Sequence, residues 1–469
     1  MEFNAVIFCG DGHDLVPLTS PGESRISKAL LPVANKPLVE YVLNWCDQAP
    51  FKSVTIVTSM KDEKSISEVV NKYENGRDTE LRNSSPIKLV TSELTSTGAI
   101  LNDIFPLNED NINDPANKKN FLILPCDFIT DVPPQVLIEV YRGNSDENIG
   151  LSLFYNNTFE NVDKKALKSN YTVYSNQENG NMVLLDMYSK DFVTIDKFLK
   201  IRTQLLWRYP QTLISTKLLD SFIFFMSWKC RMNINNKTIS TINNDVQLKR
   251  PINKIKRDLS RNSWKHSNCK STIGMFALPE GSLFVRCNNL PVYMEMNRYY
   301  LKDNAKTNPN KHNNNSKENK NAATIGSDCI IGLNSELGEL TNVKRSVIGN
   351  NVVIGKKCRI SGCILLDGVN IENDVQLENC IIGKDVKMES KCRLVNCNVE
   401  GLYTVGKNVN LKGETLKNIS LDELSDGALY TSEESEASSE LESDEGDSSG
   451  YDDEGFEEEE YEDDIFNRV

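Results

Sequence analysis

Along roughly the first 230 residues, short runs rich in β-branched and aromatic residues alternate with stretches whose apolar positions recur at helical spacing. Strands are predicted at Ala5–Cys9, Val54–Thr58, Ile87–Val90, Phe121–Pro125, Ile149–Phe154, Tyr171–Tyr174 and Met182–Met187. Helices are predicted at Leu38–Asp47, Glu63–Lys72, Ala99–Ile104 and Pro133–Tyr141. Such alternation implies a Rossmann-like α/β unit, a mostly parallel sheet covered by helices, with function at the carboxyl ends of its strands. A different pattern begins near Ile325. Aliphatic residues stand at Val343, Ile348, Ile354, Ile360, Leu365, Ile371, Leu377, Ile382, Met388, Leu394, Val399 and Val405, in steps of five, six and six that repeat every 17 residues. Ile325, Ile331 and Leu337 extend it upstream at intervals of six. Neither a 3.6-residue nor a two-residue period produces this spacing. A solenoid does, with three flat sides per coil, each sending one aliphatic residue inward to stack on the coil below.

This is the hexapeptide-repeat pattern, and it resembles the left-handed parallel β-helix family. Gly326, Gly332, Gly338, Gly349, Gly355 and Gly383 directly follow inward aliphatic residues, where corners are expected to need a permissive backbone. Cys363, Cys380 and Cys397 are 17 apart, and Cys358 and Cys392 are 34 apart, so they are expected to form columns of small residues inside the coil rather than a metal site. Hexapeptide acyltransferases use a histidine as general base. The chain has only His13, His266 and His312, all outside the repeats, which removes that reading.

Between the two patterns lie an Asn-rich stretch near 233–253 and the basic run Lys254–His266, read as a loop insertion followed by a solvated helix with a charged face. A second Asn/Lys-rich stretch, 303–321, reads as a flexible linker. The expected organisation is an α/β domain at 1–302, the linker, a β-helix at 322–413 and a tail at 414–469.

Charge changes the picture at the end of the chain. The net charge of −14 is an average over unlike parts. From Leu421 to Val469 there are 21 acidic residues and one basic residue, so the remainder is mildly basic. Self-repulsion and few core residues predict disorder in this tail. Thr431, Ser439 and Ser449 each have an acidic residue three positions on, which suits acid-directed kinases; a simple solvating tail is the alternative. No specific nucleic-acid site follows from the charge pattern. No stretch is long and apolar enough for a membrane span, and the first residues lack the features of a secretory signal. Twelve cysteines without a CxxC pair suit a reduced, cytosolic protein.

The candidate chemistry sits after the first strand, in Phe8-Cys-Gly-Asp-Gly-His-Asp-Leu-Val-Pro-Leu-Thr19 and Lys28-Ala-Leu-Leu-Pro-Val-Ala-Asn-Lys-Pro37. These strings resemble the signature of the sugar-nucleotide pyrophosphorylases, nucleotidyltransferases that join a nucleoside triphosphate to a sugar phosphate. The resemblance implies a glycine loop for the triphosphate at Gly10 and Gly12 and a phosphate-binding lysine at Lys28. It implies a base-contacting segment at Ser96-Thr-Gly98 and a Mg²⁺-holding aspartate at Asp127. The family's arginine after the last loop glycine is absent, and Asp14 stands there. Arginine offers phosphate a fixed cationic donor fork. A carboxylate shifts the local charge by two units, each pair worth about 4 kcal/mol at ~4 Å and an effective dielectric near 20. The pocket is therefore expected to be catalytically vestigial, with no cofactor and no metal.

Three longer strings, Lys28–Cys46, Ile123–Pro134 and Arg257–Trp264, are similar to the gamma-type subunits of the eukaryotic translation initiation factor two B family, fungal type. That resemblance implies a non-enzymatic subunit of the guanine-nucleotide exchange complex acting on initiation factor two. It implies pairing with the catalytic epsilon subunit, a decamer with alpha, beta and delta subunits, contact with the gamma subunit of initiation factor two, and a cytosolic location. Epsilon subunits share the two leading domains but add a helical-repeat domain, for which the 56 residues from Glu414, acidic in character and poor in core residues, are expected to leave no room. Two alternatives stay open: an active sugar-1-phosphate nucleotidyltransferase, for example a mannose-1-phosphate guanylyltransferase, and a stand-alone sensor of nucleotides or sugar nucleotides.

Overall fold

The computed structural model describes residues 2–22, 25–94, 96–106, 118–145, 148–163, 166–167, 169–177, 180–230, 252–265, 272–307 and 323–418. The Asn-rich stretch, most of the linker, and Thr431, Ser439 and Ser449 lie outside these residues.

Ten strands form one mixed sheet. In spatial order they are Thr212–Ser215, Asn170–Asn176, Met182–Ser189, Thr272–Ala277, Asn148–Asn156, Leu218–Met226, Asn120–Pro125, Phe3–Phe8, Ser53–Thr58 and Ile87–Thr91. The last four run parallel, as do Thr272–Ala277 and Asn148–Asn156. The other pairings are antiparallel, notably where Leu218–Met226 joins the parallel block to the rest.

Phe3–Phe8 is buried throughout because helices cover both faces. Its alternate residues divide accordingly. Phe3, Ala5 and Ile7 pack under helices Leu38–Cys46, Glu63–Gly76 and Pro134–Asn144, whereas Val6 and Phe8 meet Thr97–Ile104 and Ile252–Lys265. The predicted strands and helices of this region are all present, with ends shifted by a few residues.

The basic run corrects one expectation. Residues Ile252–Lys265 do form a helix, but two of its charges, Lys256 and Arg261, turn to carboxylates of the sheet. Ile252, Ile255 and Leu259 enter the core, and Lys256 is buried with Nζ 2.5 Å from Asp220 Oδ2 and 3.1 Å from Ser152 Oγ. Arg261 Nε lies 2.8 and 2.9 Å from the two Asp186 oxygens, and Trp264 Nε1 donates to the Leu185 carbonyl. Sheet carboxylates draw the basic face inward, a partnership that local charge density does not reveal. Further on, helix Leu290–Thr307 carries residues 303–307 of the expected linker. Among the described residues no helix is long and apolar enough to cross a membrane.

From Thr324 to Leu416 the chain forms three parallel sheets of short strands, stacked as the sides of a prism. The inward residues pair coil on coil as the spacing requires: Val343 with Ile360, Ile360 with Leu377, Ile348 with Leu365, Ile354 with Ile371. The first coil is one residue longer, Ile325 pairing with Val343. Cys363, Cys380 and Cys397 stack in one buried column, each following backbone N–H lying 3.5 Å from the preceding sulfur.

The glycines act differently from the expectation. None of Gly326, Gly332, Gly338, Gly349, Gly355 and Gly383 has a positive φ. The left-handed corners fall to other residues, such as Asn351, Gly368, Asp385 and Leu402, one coil apart. All of those glycines but Gly326 are required by stacking against backbone: a Cβ on Gly332 would stand 2.4 Å from the Gly349 carbonyl oxygen, and one on Gly383 2.4 Å from the Gly401 nitrogen. Neighbouring coils approach there too closely for any side chain.

One side of the prism is apolar outward as well as inward. Val347, Ile364 and Ile381 pack with Leu15, Leu31, Val285, Tyr293 and Met296 of the α/β unit in a single buried cluster. Asn35 Nδ2 donates to the Ile348 carbonyl at 2.7 Å, and Arg298 Nη2 lies 3.2 Å from Asn379 Oδ1. The solenoid is thereby joined to the α/β unit beside the segment Gly10–Pro37.

Candidate functional site

The predicted residues gather at the carboxyl ends of two adjacent parallel strands. Phe3–Phe8 leads into Gly10 and Gly12, and Asn120–Pro125 leads into Asp127, because Phe8 and Pro125 are register partners. Gly12 has φ +75, and a Cβ there would be 3.1 Å from Lys28 Cβ and 3.2 Å from Thr19 Cγ2. Only glycine satisfies both the backbone and the space. Thr19 Oγ1 donates to the Gly12 carbonyl at 2.7 Å, and Leu15 N–H donates to the same oxygen at 2.9 Å, closing the turn His13–Leu15. Asp14 sits in that turn, half-buried.

Lys28, on the short turn Lys28–Leu30, points inward beneath this loop and is 1% exposed. Its Nζ lies 2.8 Å from Asp127 Oδ2. The structure adds a residue that sequence reasoning missed. Arg286 is 2% exposed overall, and its Nη2 lies 2.9 and 3.0 Å from the two Asp127 oxygens, with Nε 3.1 Å from Oδ1. It arrives on strand Phe284–Arg286, antiparallel to Phe128–Thr130 with Arg286 opposite Phe128, while Cys287 N–H donates to the Asp127 carbonyl at 2.9 Å. A lone arginine 159 positions along the chain carries no local sign of this role.

Phe222 completes the enclosure, its ring centroid 4.2 Å from the Arg286 guanidinium carbon. It lies in a bulge of Leu218–Met226 with φ 58, a strained conformation for an aromatic residue, and its N–H donates to Asp220 Oδ1 at 2.9 Å. Among the described residues Arg286 Nη1 has no hydrogen-bond partner.

Burial by itself pushes the Asp127 carboxyl upward, but the charges of Arg286 and Lys28 and their hydrogen bonds outweigh it and hold the group below the usual carboxylate range. Asp127 is thus an ionised carboxylate, 0% exposed, with each oxygen already accepting from a cation. A Mg²⁺ ion does not fit this arrangement. It would meet two fixed positive charges at the same oxygens, each unit pair worth about 4 kcal/mol at ~4 Å and an effective dielectric near 20.

The remaining predicted residues lie around this cluster without joining it. Gly98 is buried in the first turn of Thr97–Ile104, and Thr97 Oγ1 accepts from the Ile252 N–H at 3.0 Å, so helix Ile252–Lys265 begins directly on the expected base segment. Beside it Phe8, Thr97, Pro125, Phe222, Phe224 and Ile252 line a small apolar cavity. The loop's own carboxylate Asp11 is engaged by Arg25, whose Nη2 lies 2.5 Å from Asp11 Oδ1 and 3.1 Å from Asp62 Oδ2. Arg25 is the nearest arginine in sequence to Asp14, and its guanidinium is turned to these other partners.

Comparison with known proteins adds two findings. Residues 308–412 match the family described as the EIF2B subunit epsilon LbH domain. Over 322 residues, 64% of this chain, the sequence is 27% identical to translation initiation factor eIF2B subunit gamma of Schizosaccharomyces pombe (strain 972 / ATCC 24843), and the chain spans 66% of that relative's length.

Proposed function

Because the chain is eIF2B gamma-like, we propose that it serves as a non-catalytic subunit of the initiation-factor complex that exchanges GDP for GTP on initiation factor two. In this reading it pairs with the epsilon subunit, which supplies the exchange chemistry, and joins alpha, beta and delta subunits in the cytosol. The α/β unit, expected at 1–302 and carried on to Thr307 by its last helix, and the β-helix, expected at 322–413 and stacked on to Leu416, provide the body of the subunit, followed by the acidic remainder of the sequence. Gly10, Gly12, Asp14, Lys28, Gly98 and Asp127 are the remains of a nucleotidyltransferase pocket. Thr431, Ser439 and Ser449 are its candidate phosphorylation sites.

The buried Lys28–Asp127–Arg286 cluster carries this reading. In a working nucleotidyltransferase the lysine and the aspartate must face substrate and metal; here they face each other and an arginine. Catalysis of phosphoryl transfer depends on electrostatic stabilisation of developing negative charge. The groups suited to that task are withdrawn from solvent, and Asp14 adds negative charge at the loop.

Two measurements test the proposal. Incubating the full chain with nucleoside triphosphates, Mg²⁺ and a panel of sugar 1-phosphates is expected to release no pyrophosphate above the blank; turnover at ordinary enzymatic rates overturns the non-catalytic reading. Purification from the native cytosol is expected to bring companion subunits of the exchange factor, and a chain that elutes alone overturns the assembly reading.

A further inference from the structure

The far edge of the ten-stranded sheet carries an uncovered apolar surface. Among the described residues strand Thr212–Ser215 ends the sheet and pairs on one side only, with Asn170–Asn176. Leu213 and Ile214 on it are exposed, as are Ile195, Phe198, Leu206 and Trp207 on the two short helices and their connection just before it. Trp207 is 81% exposed. A large indole standing almost fully in water beside an open strand edge marks a contact surface rather than scattered surface apolarity.

The same surface is cationic. Lys197, Lys200, Arg202, Arg208 and Lys217 are all exposed, and from Lys190 to Lys217 the sequence has six basic residues against two acidic ones. Lys200 Nζ lies 5.0 Å from the Phe198 ring centroid, so cation and aromatic are interleaved rather than separate. An occupant matching this surface must be extended, acidic and punctuated by aromatic or aliphatic side chains.

The chain supplies such a segment itself. Residues Tyr451 to Val469 contain ten acidic residues and one basic residue, interspersed with Tyr451, Phe456, Tyr461, Ile465 and Phe466. Thirty-two residues separate Asn418, where the described solenoid ends, from Tyr451. A chain of that length spans roughly 30 Å as a coil and about 100 Å when extended. We propose that the segment 451–469 docks on the surface formed by Phe198, Trp207 and the edge strand Thr212–Ser215, its carboxylates against Lys197, Lys200, Arg202 and Lys217. Backbone pairing at the open edge and aromatic contact with Trp207 supply the short-range attraction, and opposite charge supplies the steering.

The test uses the full chain. Carbodiimide joins lysine amines to carboxylates in direct contact, and an equal mixture of ¹⁴N- and ¹⁵N-labelled protein separates coupling within a chain from coupling between chains. Lys197, Lys200 and Lys217 are expected to couple to carboxylates of 451–469 within one chain, and coupling is expected to disappear in about 0.5 M NaCl, where the screening length falls below ~5 Å. The variant Trp207→Ser/Phe198→Ser keeps every lysine and changes only exposed side chains. It is expected to lose the coupling while its circular dichroism stays unchanged. Coupling spread equally onto solenoid lysines such as Lys387 and Lys391 overturns the proposal, as does coupling that survives in the variant. Coupling only between differently labelled chains overturns it in favour of a second copy as the occupant.

Discussion

Arg286 and Asp127 form a fully buried charge pair, and its energetics follow from removing one partner at a time. A buried ion pair contributes little over an apolar replacement, yet breaking it leaves an uncompensated charge. Arg286→Ala is therefore expected to lower unfolding free energy by about 3–5 kcal/mol in urea titrations. A loss under 1 kcal/mol would show that Lys28 alone suffices for Asp127. The same group sets part of the acid sensitivity. Its carboxyl is held below the usual range in the folded protein, so its contribution is present above the unfolded value near 3.9 and is lost as pH falls through the folded value. Asp127→Asn is expected to be less stable at neutral pH and to show a shallower loss of urea midpoint below about pH 4; parallel acid limbs for the two proteins would contradict this.

At the scale of single elements, two structures carry interactions that their own sequences understate. Helix Ile252–Lys265 is anchored by Lys256 on Asp220 and by Arg261 on Asp186. Lys256→Met strands Asp220 beside the sheet and is expected to cost about 3–5 kcal/mol, much of it recovered in Lys256→Met/Asp220→Leu. Additive losses in the double variant would mean the two residues act separately. In the solenoid, Gly383→Ala drives a Cβ to 2.4 Å from the Gly401 nitrogen, whereas Gly406→Ala meets nothing within 4 Å. The first is expected to destabilise by about 1–3 kcal/mol and the second to be neutral or mildly stabilising. Equal thermal shifts for both would return the glycines to a purely conformational role.

For the whole molecule, the shared cluster between prism and α/β unit decides whether they unfold together. Ile364 projects outward from the solenoid yet is buried, packed in the same cluster as Tyr293 and Met296. Ile364→Asp places an unpaired charge there while leaving the inward column untouched. Calorimetry is expected to resolve two transitions in the variant where the parent shows one. A single lowered transition would mean the solenoid depends on this contact for its own stability.

The first half of the α/β unit and the solenoid were legible along the chain, whereas strands Thr212–Ser215, Leu218–Met226, Thr272–Ala277 and Phe284–Arg286 were not. Strand Phe3–Phe8, the 17-residue recurrence from Val343 to Val405 and the column Cys363–Cys380–Cys397 are consequences of side-chain direction at fixed backbone periods, a property each segment carries alone. The glycines beside the inward aliphatics were visible, but their reason was not, because it lies in the neighbouring coil. Lys28, Gly12 and Asp127 were visible as a motif; that Lys28 and Asp127 close on each other depends on Arg286, brought in by the pairing of Phe284–Arg286 with Phe128–Thr130. Likewise Lys256 and Arg261 are visible locally as charges, while the carboxylates that pair with them belong to other strands. Period and turn chemistry act between near neighbours and can be read in order. Which distant charges meet, and which apolar side of the prism is covered, is settled only when packing brings separate segments within a few ångströms, where desolvation makes a partner obligatory.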